Sequence, residues 1–578
     1  MSEYDAVVVG GGPNGLAAAL RLAEAGWSVC LLEAADEVGG GARTLECTLP
    51  GFRHDFGAAF LPLTVLAPAI TGRDLGAYGL RFLHAPLPAA HPFQGNQAIV
   101  LARSAAETAA SIDKLHPGDG AAWTALDEAY CDPVELFLRA QMARWPVREM
   151  AALARRLGGV QPALGFVRML LQGAAVVAGR FESEQARAFL VGPAMHADLP
   201  PEAPGTGVYA LLLNLLGQRY GMPVAEGGTG AVSAALAAAL RDAGGVIATG
   251  RRVDRIVVEA GRAVGAEAGG DAFPARRALI AAVHPELVVR LAGPESFPAG
   301  ALEQVRGFRR GVGTFKIDWA LDGPVPWGAE ECRRAAVLHV GETVRAMSRS
   351  AWEAANGLLP ARPTLILGQP TLADPSRAPA GKHVLWGYAH VPAAPTGDAL
   401  RPRARGEWSR SAEPFLGRVE AAIEAHAPGF RDLVLARRAW TPADLEAADA
   451  NLVGGDIVTG SFAVDQQLVF RPGPAWWRWG SPVKGLYLAS AAVPPGGGVH
   501  GACGDLAAAQ ALADRRRRPL LLAGAGLLAG PVRPSRRPAG RPRRRCRSRF
   551  APRPRGRCRA PGSARSPGRA PRRAGRRR

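Results

Sequence analysis

The stretch VVVGGGPNGLAAALRLAEAGWSVCLLE, from Val7 to Glu33, decides the fold of this chain. An apolar β-branched run ends in the pattern Gly10-x-Gly12-x-x-Gly15, which leads into an Ala/Leu-rich helical pattern. A second apolar run then closes on Glu33, 18 positions after Gly15. Strand, glycine turn, helix, strand and acid in this order predict a βαβ unit that binds a dinucleotide.

Each glycine of this unit, and the acid that follows it, has a structural role in binding a dinucleotide. Gly10 permits a tight turn, Gly12 leaves room for a pyrophosphate at the helix N-terminus, and Gly15 allows the helix to pack closely on the strand. Glu33 is placed to accept hydrogen bonds from an adenosine ribose, and its charge disfavours a 2′-phosphate, which argues against NADP. The residues expected to contact the dinucleotide here are Gly10, Gly12, Pro13, Asn14, Gly15, Glu33 and Ala34.

The next stretch indicates which dinucleotide is bound. AADEVGGGARTLECTLPGFRHDFGAAFLPL (34–63) resembles the flavin-binding oxidoreductases of the phytoene-desaturase and amine-oxidase superfamily, in which a Gly-Gly turn and an arginine follow the second strand. The resemblance implies that the cofactor is FAD. It also implies that the second turn and Arg43 contact the pyrophosphate and that a later segment skirts the flavin ring. This adds Gly40, Gly41, Ala42, Arg43, Gly57 and Ala58 to the expected cofactor contacts.

Two later stretches extend the resemblance. Residues 223–282 resemble the returning half of the FAD domain, with Val253 at a backbone contact to the adenine. GLYLASAAVPPGGGVHGACGDLAAAQALAD (485–514) resembles the C-terminal flavin motif and adds Gly498, Val499 and His500. The acidic residue common in the amine-oxidase version of that motif is replaced by Ser-Ala-Ala at 490–492. That difference favours the phytoene-desaturase branch.

The resemblance covers about residues 4–513 and is best with the phytoene-desaturase-like sub-branch that includes the pyridine nucleotide-disulfide oxidoreductase domain-containing protein 2 group. Disulfide reductases need two redox cysteines at close spacing. The seven cysteines of this chain show no such pair and no disulfide framework, which favours a reducing compartment.

We expect an α/β fold in which a Rossmann-type, amine-oxidase-like FAD-binding domain is interleaved with an α+β substrate domain. The chain has 578 residues, 48% of them hydrophobic, which is enough for two cores. The expected FAD-binding parts are 1–64, 222–285 and 480–514. The expected substrate-domain parts are 65–221, which reads as helical, and 286–479, which reads as an antiparallel sheet with helices.

Residues 515–578 form a basic tail. They contain 24 arginines and no acidic residue, so without them the net charge falls from +20 to −4. An Arg/Pro/Gly/Ala composition cannot build a core, which predicts disorder and only generic electrostatic attraction to anions, with no specific nucleic-acid partner.

No signal peptide precedes the first strand, so we expect a cytoplasmic protein. Membrane contact through the apolar stretch ALGFVRMLLQGAAVVAG (163–179) is the less favoured reading of that segment, which we expect to be a buried core helix. No His or Cys/His cluster has metal-ligand spacing, and no G-x-S-x-G or P-loop pattern occurs, so we expect no metal and no acyl or phosphoryl transfer.

The resemblance implies an FAD-dependent oxidoreductase that transfers a hydride from a substrate C–H bond to the flavin and then passes the electrons to oxygen, a quinone or transient NAD. By analogy, the substrate is a small apolar, isoprenoid or carotenoid-like molecule that undergoes desaturation. No catalytic base is assigned. The candidates are His54, Asp55, His196 and His500, of which His500 is the best placed.

Two other functions stay open. A flavin amine oxidase would need an aromatic cage for a neutral amine, to which Trp386, Tyr388 and Trp440 are candidates. From another class, the chain would be an FAD-containing regulatory or binding protein without turnover. Reduction of the flavin by a substrate would distinguish the two enzyme functions from a regulatory or binding protein.

Overall fold

The computed structural model describes residues 3–401 and 407–527, with side chains described up to residue 515. Two seven-stranded sheets organise this part of the chain. Both lie within one compact unit that extends to Leu520. The expected α/β fold is confirmed, and the domain boundaries drawn from the sequence stay a prediction.

The first sheet is built around the N-terminal βαβ unit. β1 pairs in parallel with β2 on one side and β12 on the other, and β12 also pairs in parallel with β20. Val7 and Val8 are fully buried, as expected for a strand covered on both faces. The strand order is β10, β11, β12, β1, β2, β9, with β20 beside β12. The bounds are β1 Tyr4–Val9, β2 Val29–Leu32, β9 Val246–Ala248, β10 Val253–Glu259, β11 Arg262–Ala268, β12 Asp271–Ala281 and β20 Leu486–Leu488.

The second sheet comes from the segments between these pieces. Its strand order is β19, β13, β17, β16, β14, β6, β7, and its pairs are antiparallel except β14 with β6. β6 and β7 form a hairpin inside 65–221, the part that the sequence describes as helical. The bounds are β6 Leu87–Phe93, β7 Gln97–Leu101, β13 Gly313–Leu321, β14 Ala335–Val340, β16 Leu365–Gly368, β17 His383–Val391 and β19 Val434–Trp440.

Three two-stranded pairs complete the described strands: β3 Thr44–Leu45 with β4 His54–Asp55, β5 Phe82–Leu83 with β8 Val224–Ala225, and β15 Leu358–Leu359 with β18 Gly397–Asp398.

The helices fall into two groups by their place in the chain. Those of the flavin-like segments are α1 Pro13–Glu24, α10 Gly230–Asp242 and α16 Ala502–Leu527. The others are α2 Pro68–Thr71, α3 Ala105–Asp113, α4 Asp119–Gln141, α5 Val147–Leu157, α6 Val160–Leu171, α7 Ala174–Ala178, α8 Glu184–Val191, α9 Thr206–Tyr220, α11 Pro285–Ala292, α12 Ala299–Gly307, α13 Val344–Ala355, α14 Trp408–Glu424 and α15 Pro442–Ala448. Residues 515–527 of the expected disordered tail belong to α16, and the tail beyond Leu527 lies outside the described residues.

One expectation is wrong in part. The apolar stretch 163–179 does not form a buried core helix, because only one side of α6 is covered. Phe166 and Met169 are buried, whereas Val160, Leu164, Val167 and Leu171 are 74%, 57%, 51% and 53% exposed. Positions spaced by four, three and four residues lie on one face of a helix, so α6 presents an apolar stripe. Among the described residues, no helix combines the length and the apolar character needed to cross a membrane.

Candidate functional site

A cavity of about 1100 Å³ lies at the carboxyl ends of β1 and β2. Val9 and Leu32, the last residues of these strands, both line it. This is the edge at which open α/β sheets bind their ligands. The cavity continues along one face of the second sheet, so a single space connects both halves of the structure.

The first glycine turn forms one end of the cavity. Gly10 has a φ of +98°, which favours glycine, and a Cβ on Gly15 would lie 1.9 Å from the carbonyl oxygen of Gly10. Gly12 has ordinary extended geometry, and the nearest atom to a Cβ there is Cα of Gly40, 3.8 Å away. The space beside Gly12 is therefore open, and it faces the first turn of α1, where backbone N–H groups and the helix dipole favour an anion.

Glu33 stands at the end of β2 with a fixed carboxylate. Its Oε2 accepts from the N–H of Gly11 at 2.6 Å, and its Oε1 accepts from the N–H of Ala35 at 2.8 Å. Two backbone donors hold the carboxylate in one orientation on the cavity wall. The remaining acceptor capacity of its oxygens suits ribose hydroxyls.

Arg43 is fixed by its own surroundings. Its Nε donates to the carbonyl of Gly40 at 2.7 Å, Nη2 donates to the carbonyl of Ala448 at 3.0 Å, and the guanidinium lies over the ring of Phe56. Arg43 lines the cavity. Its positive charge therefore stays near the second glycine turn, while two of its nitrogens, Nε and Nη2, donate to backbone carbonyls.

The far wall comes from the chain's later segments. Trp386 donates from Nε1 to the carbonyl of Gly57 at 2.9 Å, and Thr64 donates from its hydroxyl to the carbonyl of Val499 at 2.8 Å. These bonds tie the segment around Gly57 to the second sheet and to the C-terminal loop. All cofactor contacts expected from the sequence line this one cavity: Gly10, Gly12, Pro13, Asn14, Gly15, Glu33, Ala34, Gly40, Gly41, Ala42, Arg43, Gly57, Ala58, Val253, Gly498, Val499 and His500.

His500 is held as a neutral ring. Its Nδ1 accepts from the N–H of Ala502 at 3.1 Å, and the carbonyls of Gly496 and Gly497 interact with the same ring. Burial lowers the pKa of His500 to about 4. The geometry suits a residue that shapes the loop before α16, since both of its polar sides face backbone groups.

The other base candidates separate into two kinds. His54 bonds Thr48, and Asp55 forms a fully buried ion pair with Arg377 at 2.8 Å; neither lines the cavity. His196 does line it, with Nδ1 3.0 Å from the hydroxyl of Tyr388. The structure thus leaves His196 and His500 as the candidates that face the cavity.

The second sheet contributes polar residues that the sequence analysis missed. Thr314 and Lys316 of β13 line the cavity, and Lys316 pairs across the sheet with Tyr388 of β17. The Nζ of Lys316 forms an ion pair with Asp318. The signal was present in GTFKIDWAL, where polar side chains recur at every second position of an otherwise apolar strand.

Two ionisable residues near the glycine turns were also missed. Arg471 donates to the carbonyls of Val458, Thr459, Gly460, Ser461 and Ala491. A Cβ on Gly496 would lie 3.8 Å from Nε of Arg471, so this cation sits against the C-terminal loop. Asp449 lines the cavity close to Gly40, and burial raises the pKa of its carboxyl, with the Glu33 charge adding to the shift.

No group of three or more His, Cys, Asp or Glu side chains able to hold a metal ion occurs within residues 3–401 and 407–527.

The chain shares its fold with known proteins over most of its length. The family model described as flavin containing amine oxidoreductase matches residues 14–405. The chain is 30% identical over 557 residues to pyridine nucleotide-disulfide oxidoreductase domain-containing protein 2 of Rattus norvegicus, covering 88% of this chain and 93% of that protein. It is 25% identical to the neurosporene-forming phytoene desaturase of Cereibacter sphaeroides, covering 86% and 92%. Among solved structures, cyclohexylamine oxidase from Brevibacterium oxydans superposes with a TM-score of 0.54 at 18% identity, covering 89% and 100%.

Proposed function

Because this chain belongs to the flavin containing amine oxidoreductase family and is an FAD-dependent oxidoreductase, we propose that it oxidises a small apolar substrate of isoprenoid type. The proposed reaction is a desaturation, in which a hydride and a proton leave neighbouring carbons. FAD, when bound, supplies the two-electron acceptor. The protein's residues bind the two partners, orient them and exclude water.

The residues of the cavity fit FAD. The open space beside Gly12 would accept a pyrophosphate at the N-terminus of α1, and the carboxylate of Glu33, which two backbone N–H groups orient, would bind the ribose. The C-terminal loop and the segment around Gly57 line the opposite end, where the ring would lie. We propose the site residues expected from the sequence as the cofactor contacts on this basis.

One observation carries the proposed substrate class. Beyond the glycine turns, the cavity is walled by apolar side chains of three helices: Phe137 and Leu138 of α4, Leu170 and Leu171 of α6, and Val208, Leu212 and Leu213 of α9. A wall of this kind binds an apolar molecule by removing its surface from water. The two histidines that face the same space, His196 and His500, are held neutral by burial.

The cavity reaches the surface at an apolar rim, which we define as Val160, Leu164, Val167 and Leu171 of α6 with Val464 and Leu468. Leu171, Val464 and Leu468 belong both to the exposed surface and to the cavity lining. Residues 142–180 carry six arginines and one glutamate. We propose that the rim rests on an anionic lipid surface, from which an apolar substrate enters.

An amine oxidase is the second candidate function, because its expected cage residues lie partly at the cavity. Trp386 and Tyr388 line it, but their rings stand at 78° to each other on one strand, and Trp440 packs on Phe56 and donates to Asp318 instead. The geometry does not offer two facing rings for an amine, so it supports this function less well.

Anaerobic reduction of the flavin tests the proposal. The purified yellow protein is mixed with phytoene in detergent micelles or with cyclohexylamine, and the visible flavin band is followed. Bleaching by phytoene supports the proposed function, and bleaching by the amine alone supports the second candidate. A flavin that no apolar or amine substrate reduces supports a binding or regulatory role. Reoxidation by oxygen, a quinone or NAD then identifies the electron acceptor.

A further inference from the structure

The sheet face that covers the cavity carries a small polar site within an apolar wall. Lys316 and Tyr388 are directly opposed residues of β13 and β17, and Thr314 lies two residues before Lys316 on the same face. All three line the cavity, as does Trp386, two residues before Tyr388. Lys316 is ion-paired with Asp318. The other polar groups that these residues bring to the cavity are the hydroxyls of Tyr388 and Thr314.

Tyr388 is the first member of a hydrogen-bonded chain. Its hydroxyl lies 3.0 Å from Nδ1 of His196, and Nε2 of His196 lies 3.0 Å from Nε2 of His339. Tyr388 and His339 are buried, whereas His196 keeps accessible surface and lines the cavity. A phenol can donate one hydrogen bond and accept two, so the bond to His196 leaves Tyr388 with capacity for another partner.

All members of this chain are uncharged near neutral pH. Burial lowers the pKa of His196 to about 3 and places that of His339 well below its usual value. Burial also raises the pKa of Tyr388. The Lys316 charge opposite Tyr388 is paired with Asp318, so the site offers little to offset the desolvation of a charged ligand and suits a neutral polar group.

Thr314 supplies an independent sign of a missing partner. Its Oγ1 is buried and has no hydrogen-bond partner among the described residues. Buried polar atoms are usually paired, and leaving one unpaired costs about 1–3 kcal/mol. Thr314 lies opposite His390 and diagonally across the strand pair from Tyr388, so a ligand oxygen that reached its hydroxyl would remove that cost.

The polar site lies near the end of the cavity where we propose that the flavin ring binds. Trp386 donates to the carbonyl of Gly57, in the segment that we propose lies along the flavin ring. Its ring meets the ring of Tyr388 edge to face, with centroids 5.3 Å apart. One side chain therefore separates the polar site from that segment.

We propose that Tyr388 and His196, with Thr314 on the same face of the sheet, bind an uncharged oxygen atom, a hydroxyl or a carbonyl, on an otherwise apolar substrate. This inference rests on the proposed function and narrows its substrate class from a pure hydrocarbon to an oxygenated one. It assigns Tyr388 to substrate selection, because a site that hydrogen-bonds an oxygen rejects the analogue that lacks it.

A titration of the FAD-loaded protein tests the proposal. Three probes that share one isoprenoid chain are added anaerobically in the same detergent micelles: geranylgeraniol, the hydrocarbon that lacks its hydroxyl, and the corresponding primary amine. Binding is read from the shift of the flavin absorption band. We expect the alcohol to bind about tenfold or more tightly than the hydrocarbon, and the protonated amine to bind more weakly than the alcohol.

Tyr388→Phe should reduce the affinity for the alcohol to that of the hydrocarbon and leave hydrocarbon binding unchanged. Tyr78→Phe is the matched control, because its hydroxyl bonds Asp242 on an exposed surface away from the cavity. If Tyr388→Phe loses its flavin, Thr314→Val decides, since its Oγ1 has no bond to lose. Equal affinities of the wild type for alcohol and hydrocarbon, or a preference that survives these substitutions, would overturn the proposal.

The readout separates this inference from the proposed function. A shift that depends on Tyr388 without any bleaching supports the oxygen site and counts against turnover. Bleaching by the hydrocarbon with no preference for the alcohol supports the proposed function and overturns the oxygen site.

Discussion

The backbone N–H of Gly11 donates a 2.6 Å hydrogen bond to Oε2 of Glu33, which ties the turn after β1 to the end of β2. The same carboxylate also accepts from Ala35. Glu33 therefore has two tasks: it holds the glycine turn, and it presents oxygens to the cavity.

Glu33→Ala should weaken FAD binding by about 1.5–3 kcal/mol, the usual worth of hydrogen bonds to a charged group. Titration of the flavin-free protein with FAD, followed by flavin fluorescence, measures the change. Asp36→Ala is the control, because Asp36 is exposed three positions away and does not line the cavity. Unchanged affinity in Glu33→Ala would remove Glu33 from the ribose site.

Gly12→Val should give a folded but colourless protein. The valine fits the backbone, since φ of Gly12 is −70° and only Cα of Gly40 lies within 4 Å of its Cβ, but the side chain would fill the pyrophosphate space. Flavin absorbance and the melting temperature of the flavin-free protein check both halves of this expectation. Gly417→Val on α14, where a Cβ meets no atom within 4 Å, should keep its flavin. A yellow Gly12→Val protein would contradict the assignment.

Gly497→Ala tests the loop before α16 more cleanly than Gly498 does. Gly498 has a φ of +137°, so any side chain strains it, whereas a Cβ on Gly497 makes only ordinary contacts with Val458. If the N–H groups of this loop face the ring, a methyl group there holds the ring away from them. The midpoint potential of the bound flavin should then fall by roughly 30 mV, a tenfold change for a two-electron couple. Full occupancy at an unshifted potential would place the loop away from the ring.

Leu164→Glu combined with Val167→Glu should abolish binding to anionic lipid vesicles without loss of flavin. Both side chains are exposed on the apolar rim, and burying each in a lipid surface is worth about 1.5–3 kcal/mol. Co-sedimentation with vesicles containing phosphatidylserine measures the effect. Trp352→Glu changes an equally exposed apolar residue of α13 and should leave binding intact. Binding that persists in the double variant, or that does not depend on anionic lipid, would refute lipid docking.

The stability of the protein should fall as the pH decreases from about 6.5 to about 4. Burial lowers the pKa of His91 to about 4, so in this window the unfolded chain binds a proton that the folded protein does not. The loss is at most about 1.4 kcal/mol per pH unit for one histidine and ends below the folded pKa. His91→Gln preserves a donor for the carbonyl of Gly341, which His91 contacts through Nε2. Urea unfolding should show a shallower pH dependence in this variant, and parallel curves would contradict the assignment.

The parts of the fold that could be predicted from the sequence are those fixed by local steric rules. The turn at Gly10, the close packing at Gly15 and the acid at Glu33 follow from backbone geometry and spacing, and the structure places them as expected. The FAD cofactor follows from the resemblance carried by the same motifs and is confirmed by the family match.

The rest depends on contacts between segments far apart in the chain. Nothing local to His339 or His196 indicates that their rings meet, since 143 positions separate them. The exposure of α6 is a similar case: an apolar stretch reads as buried unless its neighbours are known, and here only the side bearing Phe166 and Met169 is covered. The hairpin of β6 and β7 was missed because long helical patterns dominate the surrounding segment.

The ion pair between Arg21 and Asp505 joins the first helix to the last across 484 positions, and Arg73 contacts the same carboxylate. During synthesis, the glycine turn leaves the ribosome long before the loop that closes the far end of its cavity. Until α16 has been made, α1 lacks this partner and β12 lacks β20. The end of the cavity that is lined by the loop before α16 is therefore formed only late in translation.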